Sequence, residues 1–186
     1  RGHNFSDNRW AGFYGFGSSV NGTVKIWNNI FYDWYSTGLY VGGVELENYG
    51  PIVYIYNNTF YNCLEGISGD GTTVAKNNLV ASTTDPFTGT FAAGTDYNAT
   101  DINDTPGVGD NNRARPTFSF ENTTAGSENF HLTANDTGAN DKGTNLANDA
   151  YLPFSTDIDG ETRPIGKTWD IGADETDVTP PYVNFL

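Results

Sequence analysis

A ten-residue motif built around two adjacent asparagines recurs along this chain and limits the folds it can adopt. Val24–Asp33 matches Val53–Asn62 in apolar, aromatic and asparagine positions, and Thr73–Ser82 is a weaker third copy. Each copy reads as a short strand whose alternate residues point inward, then an Asn-Asn corner, then another short strand. A fold that repeats this unit must place equivalent strands and corners beside one another.

The loose spacing of the copies favours a solenoid of parallel strands. The copies begin 29 and then 20 residues apart. A coil of parallel strands needs only to return about 4.8 Å along the axis, so segments such as 44–51 can loop out without disturbing the stack. An antiparallel sandwich with ordinary Asn-Asn turns is the alternative, but it leaves the matching residues around each pair unexplained.

Asparagine suits the corners because it tolerates the left-handed backbone conformation and can hydrogen-bond from coil to coil. We therefore predict a structural ladder through Asn28, Asn57 and Asn77. A second motif, a glycine before an apolar residue, interleaves with the first at Gly12-Phe13, Gly38-Leu39 and Gly66-Ile67.

The composition supports an all-β fold and excludes several partners. The chain contains 22 Gly and 27 aromatic residues (12 Phe, 4 Trp and 11 Tyr), and 23 acidic residues against nine Lys and Arg give a net charge of −14. This charge repels phosphate, so nucleic acid is not an expected partner. No apolar run is long enough to insert into a membrane. The lone Cys63 excludes a disulfide within the chain and reads as a small buried thiol.

Phrases in the last third of the chain extend the pattern. They are Asn129-Phe130-His131-Leu132, Asp141-Lys142-Gly143, Asp157–Pro164 and Asp170–Glu175. With the repeats, they make the chain resemble right-handed parallel β-helix proteins of the pectate-lyase-like superfamily. The resemblance implies an all-β, right-handed parallel β-helix (solenoid) of few coils, with an irregular C-terminal capping segment. It also implies an extracellular or cell-surface location, but no particular reaction.

This interpretation divides the chain into three parts. Residues 1–125 are expected to form the coils with long loops, and residues 126–175 a capping segment of the same domain that covers the end of the coils. Residues 176–186 are expected to form a proline-containing tail or linker. Self-assembly could then use either the open N-terminal coil or this tail.

Aromatic residues at equivalent outward positions predict a contact surface for sugars. Trp27 and Tyr56 share one such position, and Tyr32 and Tyr61 share another. Stacked rings on a solenoid face would give a flat platform for a polysaccharide or surface glycan. Alternatively, the same pairs only stabilise the sheet.

The sequence offers one candidate metal site. Asp157, Asp159 and Glu161 supply oxygen ligands around the turn at Gly160, a pattern compatible with Ca²⁺. The alternative is that Asp159 and Arg163 close the turn by hydrogen bonding and that the protein uses no cofactor.

Several asparagines fit the N-x-[ST] pattern for N-glycosylation. The candidates are Asn4, Asn21, Asn98, Asn103, Asn122 and Asn135; Asn57 also fits but occupies a predicted corner.

These features favour a secreted or cell-surface β-helix module with a structural, adhesive or glycan-contacting role and no catalytic centre of its own. A polysaccharide lyase needs basic residues near a uronate carboxylate, and this chain has few. The C-terminal part of a polysaccharide lyase or glycoside hydrolase acting on acidic polysaccharide stays open as an alternative. The other alternative is that the protein is a subunit of an extracellular filament or surface assembly.

Overall fold

A computed structural model describes residues 11–16, 22–35, 42–47 and 50–176 of the 186-residue chain. These residues form an all-β structure, as predicted, in which no helix is found and hence none that could cross a membrane. The strands are β1 (Phe13–Phe16), β2 (Thr23–Trp27), β3 (Ile30–Tyr32), β4 (Gly42–Glu47), β5 (Ile52–Tyr56), β6 (Thr59–Tyr61), β7 (Glu65–Asp70), β8 (Thr73–Lys76), β9 (Leu79–Ala81), β10 (Asp85–Thr90), β11 (Ala99–Thr100), β12 (Arg113–Ala114), β13 (Phe120–Asn122) and β14 (Asn129–Leu132).

Up to β10, successive strands join three parallel sheets in rotation, and β11 and β12 then extend only the third sheet. The first sheet has the order β1-β4-β7-β10, the second β2-β5-β8, and the third β3-β6-β9-β11-β12. Their pairings are parallel, and the register places Val24 beside Val53 and Ile55 beside Ala75. From β1 to β9, each turn of the chain thus adds one strand to each sheet, an arrangement compatible with a β-helix. Among the strands described, only β13 and β14 pair antiparallel.

The first asparagine of each pair occupies an equivalent bend. Asn28, Asn57 and Asn77 have φ angles of 52°, 49° and 54°, in the left-handed region that asparagine tolerates. Each bend lies between a strand of the second sheet and the next strand of the third sheet. The repeated pairs therefore mark the same corner in successive turns.

The continuous ladder runs through the second asparagine rather than the first. Side-chain Nδ2 donates to the next Oδ1 from Asn29 to Asn58, from Asn58 to Asn78, from Asn78 to Asn98 and from Asn98 to Asn112, at 2.9–3.1 Å. The backbone N–H of the first four members donates to the same acceptors. The ladder thus differs from the predicted one by one residue and extends over two further positions.

The first asparagines serve a different purpose because their side chains lie outside the corner. Asn77 does donate to Asn57 Oδ1 at 3.0 Å, but Asn28 donates to the carbonyl of Thr156 at 2.7 Å. The Asn57 amide donates to the carbonyls of Asp170 and Gly172. Of the predicted ladder through Asn28, Asn57 and Asn77, the bond between Asn77 and Asn57 is therefore found. The three residues also attach the C-terminal segment to the corner, and we call them the docking row.

A row of glycines in the first sheet makes room for large side chains from the third sheet. The rings of Phe31 and Phe60 stack inside the coils with centroids 4.9 Å apart. A Cβ atom on Gly12 or Gly43 would collide with these rings, and one on Gly66 would press against Val80. The glycine-apolar motif therefore reflects close packing. Its middle copy is Gly43-Val44, in register with Gly66-Ile67, whereas Gly38-Leu39 lies outside the described residues.

The loop of residues 101–112 closes the end of the coils next to β10. Asp101 accepts a hydrogen bond from the backbone of Ser82, and Asp104 accepts one from the backbone of Phe87. Val108 packs against the interior core. This loop satisfies backbone donors that the last turn would otherwise leave exposed.

Residues 126–176 lie along the sides of the coils, whereas the sequence predicted that they would cover the end. The reason is that two sheets carry apolar side chains on their outer faces, which must be buried. Against the second sheet, the C-terminal residues Leu146, Leu152 and Trp169 form one buried cluster with the strand residues Tyr54, Tyr56 and Val74. Against the third sheet, the C-terminal residues Leu132, Ala139 and Ile171 form a second buried cluster with the strand residues Leu79, Ala81 and Ala99.

Replacing Asn78 by alanine is expected to lower the free energy of unfolding by about 2–4 kcal/mol, because its buried hydrogen-bond partners would be left unpaired. Asn29→Ala, at the exposed end of the ladder, is the matched control and should cost less than about 1 kcal/mol. Urea denaturation of both variants measures the difference. Equal losses would contradict a ladder whose strength depends on burial.

Candidate functional site

The aromatic pairs predicted as a sugar platform are aligned between coils, but they are largely covered. Trp27 lies beside Tyr56, and Tyr32 lies beside Tyr61. Tyr56 is fully buried beneath the C-terminal segment, whereas Trp27 is 42% exposed. Of the two outward rows, only the Trp27 position presents a largely free ring.

The second pair is covered by a single aromatic residue from the C-terminal segment. The Phe130 ring packs against Tyr32 at 5.0 Å and against Tyr61 at 4.8 Å between centroids. Tyr32 and Tyr61 are half-buried as a result. Their alignment serves to attach the C-terminal segment, which covers part of this surface.

A groove beside these covered faces presents a different tyrosine to solvent. Tyr151 is 59% exposed, and its ring stacks on Tyr54 with centroids 4.9 Å apart and planes 12° from parallel. The groove has a volume of about 360 Å³, and Ile52, Val74 and Ala92 are among its other lining residues. It therefore offers an aromatic wall above a mostly apolar floor.

A polar cavity of about 620 Å³ adjoins the groove, since Lys76, Ala93 and Gly94 line both. Its lining includes carboxylates and amides that can exchange hydrogen bonds with hydroxyl groups. These residues are Asp96, Asp110, Asn111, Asn145 and Asp149. The groove and the cavity together, which we call the tyrosine groove, combine a ring for stacking with polar side chains that can orient a ligand.

Asp149 connects the two halves of the tyrosine groove. One of its oxygens accepts the Lys76 ammonium group at 2.8 Å, and the other accepts the backbone N–H groups of Tyr151 and Leu152. Burial raises the pKa of Asp149, but the hydrogen bonds from Lys76 and the two backbone groups outweigh burial and lower the pKa overall. The Lys76 ammonium group also lies 5.2 Å from the ring centre of Tyr56.

Sequence reasoning missed Tyr151 because it does not belong to the repeat. It follows Asp149 in an irregular segment, and its exposure depends on docking against Tyr54, about a hundred residues earlier. The local signal was an aromatic residue just after an Asp-initiated turn, which by itself does not indicate a binding site.

The predicted calcium ligands do not converge. Asp157 Oδ1 accepts the backbone N–H groups of Asp159 and Glu161, and its Oδ2 accepts that of Glu175. The Asp157 carboxylate therefore shapes the turn, while Asp159 and Glu161 are exposed. The three carboxylates do not form one ligand set.

Asp159 instead meets a histidine and a second carboxylate from other parts of the chain. His131 Nε2 lies 2.6 Å from Asp159 Oδ2 and 4.0 Å from Asp174 Oδ1. The three ligand atoms lie within 4.8 Å of one another. The cluster borders a cavity of about 390 Å³ that Glu121 and Glu161 also line.

Charge and burial perturb this cluster. Burial raises the pKa of the Asp174 carboxyl to about 7, although a hydrogen bond from the Leu132 N–H and the nearby His131 act in the opposite direction. Burial tends to lower the pKa of His131, but the hydrogen bond with Asp159 and the charge of Asp174 outweigh it and raise the pKa overall.

Arg163 pairs with Glu175 and not with Asp159, the partner that the sequence suggested. It is buried, and its guanidinium lies 2.5 Å from Glu175 Oε1 and donates to the carbonyls of Gly172 and Ala173. It also lies 5.4 Å from the ring centre of Trp169. Through these bonds Arg163 holds the C-terminal segment together. The proposed turn closure between Asp159 and Arg163 is not found.

The glycosylation candidates differ in exposure. Asn98 and Asn57 are fully buried with their amide groups hydrogen-bonded, so neither fits a glycan acceptor in this fold. Asn103 and Asn135 are exposed and Asn122 is half-buried, whereas Asn4 and Asn21 lie outside the described residues. Cys63 is buried, and burial raises its pKa to about 12.

Comparison of the chain with protein-family models, with curated proteins and with solved structures finds no match.

Replacing Asp149 by asparagine is expected to lower the free energy of unfolding at pH 7 by about 1–2 kcal/mol, since the Lys76 bond and the charge on the loop acceptor are lost. Because folding lowers the pKa of Asp149, this stabilisation is present above the ordinary value of 3.8 and disappears as the pH falls through the folded value. Urea denaturation at pH 7 and pH 3 measures it, with the exposed Asp110→Asn as control. A loss of equal size at both pH values would contradict the electrostatic explanation.

Proposed function

We propose that this protein is a secreted or cell-surface β-helix module that binds a neutral polysaccharide through the tyrosine groove. The observation that carries the proposal is the exposed Tyr151 ring, which is held flat against Tyr54 at the edge of a polar cavity. Sugar rings bind proteins by stacking on an aromatic face while their hydroxyl groups bond to nearby polar side chains.

The proposed fold is a right-handed parallel β-helix of the pectate-lyase-like kind. Support comes from the rotation of strands among three parallel sheets and from the asparagine corners that recur in each turn. Connections between parallel strands of one sheet are right-handed in nearly all proteins, which favours that hand here. The extracellular setting rests on the resemblance of the repeats and of the closing phrases.

The rigidity of the groove supports binding. Tyr151 is held at two points: one face of its ring stacks on Tyr54, and its backbone N–H donates to the Asp149 carboxylate. Tyr54 is itself part of the central strand of the second sheet. A ring held in this way loses little conformational freedom when a sugar stacks on it, so more of the contact energy appears as affinity.

Charge favours a neutral polysaccharide over an acidic one. Asp96, Asp110 and Asp149 line the polar cavity together with a single ammonium group, that of Lys76, which Asp149 already neutralises. The chain as a whole carries a net charge of −14. A uronate polymer would be repelled from this surface, whereas the carboxylates can accept hydrogen bonds from uncharged sugar hydroxyls.

The same charge weakens the case for a lyase or hydrolase of acidic polysaccharide acting at the tyrosine groove. Proton abstraction beside a uronate needs the substrate carboxylate to be neutralised by a cation. Lys76, the cation of this groove, is engaged with Asp149. We therefore propose binding without turnover as the role of this surface.

Soluble neutral glucans, mannans and xylans are expected to bind more tightly than pectate or alginate when each is titrated into the protein by calorimetry. Tyr151→Ala should weaken binding of the best neutral ligand by about tenfold or more, which corresponds to the loss of about 1.4 kcal/mol of stacking energy. Tyr151→Phe, which keeps the ring, should retain most of the affinity.

Tyr35→Ala is the matched control, since Tyr35 is a similarly exposed tyrosine that does not line the groove. Its affinity should equal that of the unaltered protein. A tighter interaction with pectate than with every neutral polymer, or full affinity in Tyr151→Ala, would contradict the proposal. Shortening of the polymer, or new absorbance from unsaturated uronate, would replace binding by catalysis.

A further inference from the structure

We propose that His131, Asp159 and Asp174 form a binding site for a divalent transition metal of the zinc type. The three side chains come from three separate segments: His131 from β14, Asp159 from the turn at Gly160, and Asp174 from the stretch after Trp169. The site lies outside the tyrosine groove and does not depend on the function proposed for that groove.

The contacts with Asn129 determine which ring nitrogen of His131 carries the proton when the ring is neutral. The Asn129 Oδ1 atom accepts the backbone N–H of His131 and also contacts Nδ1 of the same ring. Since this oxygen can only accept, the proton of a neutral His131 lies on Nδ1. The Nε2 atom then directs a lone pair at Asp159 and Asp174.

Three acceptor atoms therefore converge on one point. Nε2 of His131 lies 2.6 Å from the nearer oxygen of Asp159 and 4.0 Å from that of Asp174. Such an arrangement is unfavourable unless a proton, on Nε2 or on the Asp174 carboxyl, or a metal ion joins the atoms. An outer partner that fixes the tautomer, here Asn129, is a regular feature of histidine metal ligands.

Asp174 distinguishes this cluster from an ordinary exposed group of acids. Its side chain is only 6% exposed, and one of its oxygens is held by the Leu132 N–H. Its other oxygen faces His131. A carboxyl group this poorly hydrated either takes up a proton or is stabilised by a nearby positive charge, and a cation bound by His131 and Asp159 would lie next to it.

The donor set favours zinc over calcium. An imidazole nitrogen and carboxylate oxygens are ligand types that zinc binds, and three protein ligands leave a fourth position open, whereas calcium prefers oxygen ligands alone. Asp159 is 52% exposed at its side chain and can retreat from His131 to give the separation that a tetrahedral ion requires. The adjoining cavity, with Glu121 and Glu161 in its wall, leaves room for the open position.

Calorimetric titration of the chelator-treated full chain with ZnCl₂ at pH 7.5 tests the proposal. One ion is expected to bind per chain, and CaCl₂ at the same concentrations should give no saturable signal. His131→Gln and Asp159→Asn change partly exposed side chains and should each weaken zinc binding by about 100-fold or more. Asn129→Ala, which frees the ring, should weaken it by about tenfold.

His3→Gln is the matched control, because His3 is the only other histidine of the chain. Its zinc affinity should equal that of the unaltered protein, and circular dichroism should give the same spectrum for every variant. No saturable zinc binding would overturn the site and leave a protonated His131 as the cation of the cluster. Binding that is lost in His3→Gln, or that survives in both His131→Gln and Asp159→Asn, would overturn it as well.

Discussion

The amide ladder from Asn29 to Asn112 is the interaction on which the rest of the structure depends. Each buried side chain donates to the next member and accepts from the previous one, and each also bonds to carbonyls inside the corner, as Asn78 does to Ile55. A polar group buried this deeply is stable only when all its bonds are made. A turn that slipped by one residue would break them, so the ladder fixes the register of the strands that flank this corner.

Register in turn determines what each face of the coils presents. Because the strands align residue by residue, Gly12 and Gly43 face Phe31 and Phe60 on the inside. On the outside the same alignment creates rows of aromatic residues that water would solvate poorly. The C-terminal segment covers most of these rows but leaves Trp27 exposed, and the tyrosine groove lies at the margin where that covering stops, with Tyr151 resting on Tyr54.

Some of this organisation could be read from the sequence, and some could not. The parallel strands and the corners followed from the spacing of Asn28, Asn57 and Asn77, since repeated local patterns imply repeated local structure. The two asparagines of a pair are chemically identical, however, and which one turns inward depends on the corner geometry. Contacts such as His131 with Asp159 join segments that no repeat connects, so the pairing could not be predicted.

The docking row has a consequence for how the protein is made. Asn57 bonds to the carbonyls of Asp170 and Gly172, more than a hundred residues later in the chain. During synthesis from the N-terminus, the coils therefore emerge from the ribosome long before the segment that shields them, and their aromatic sides meet the aqueous medium first. The growing polypeptide must stay soluble through this interval with little help from charge repulsion, because residues 1–80 hold only six of the 23 acidic residues and four of the nine basic ones.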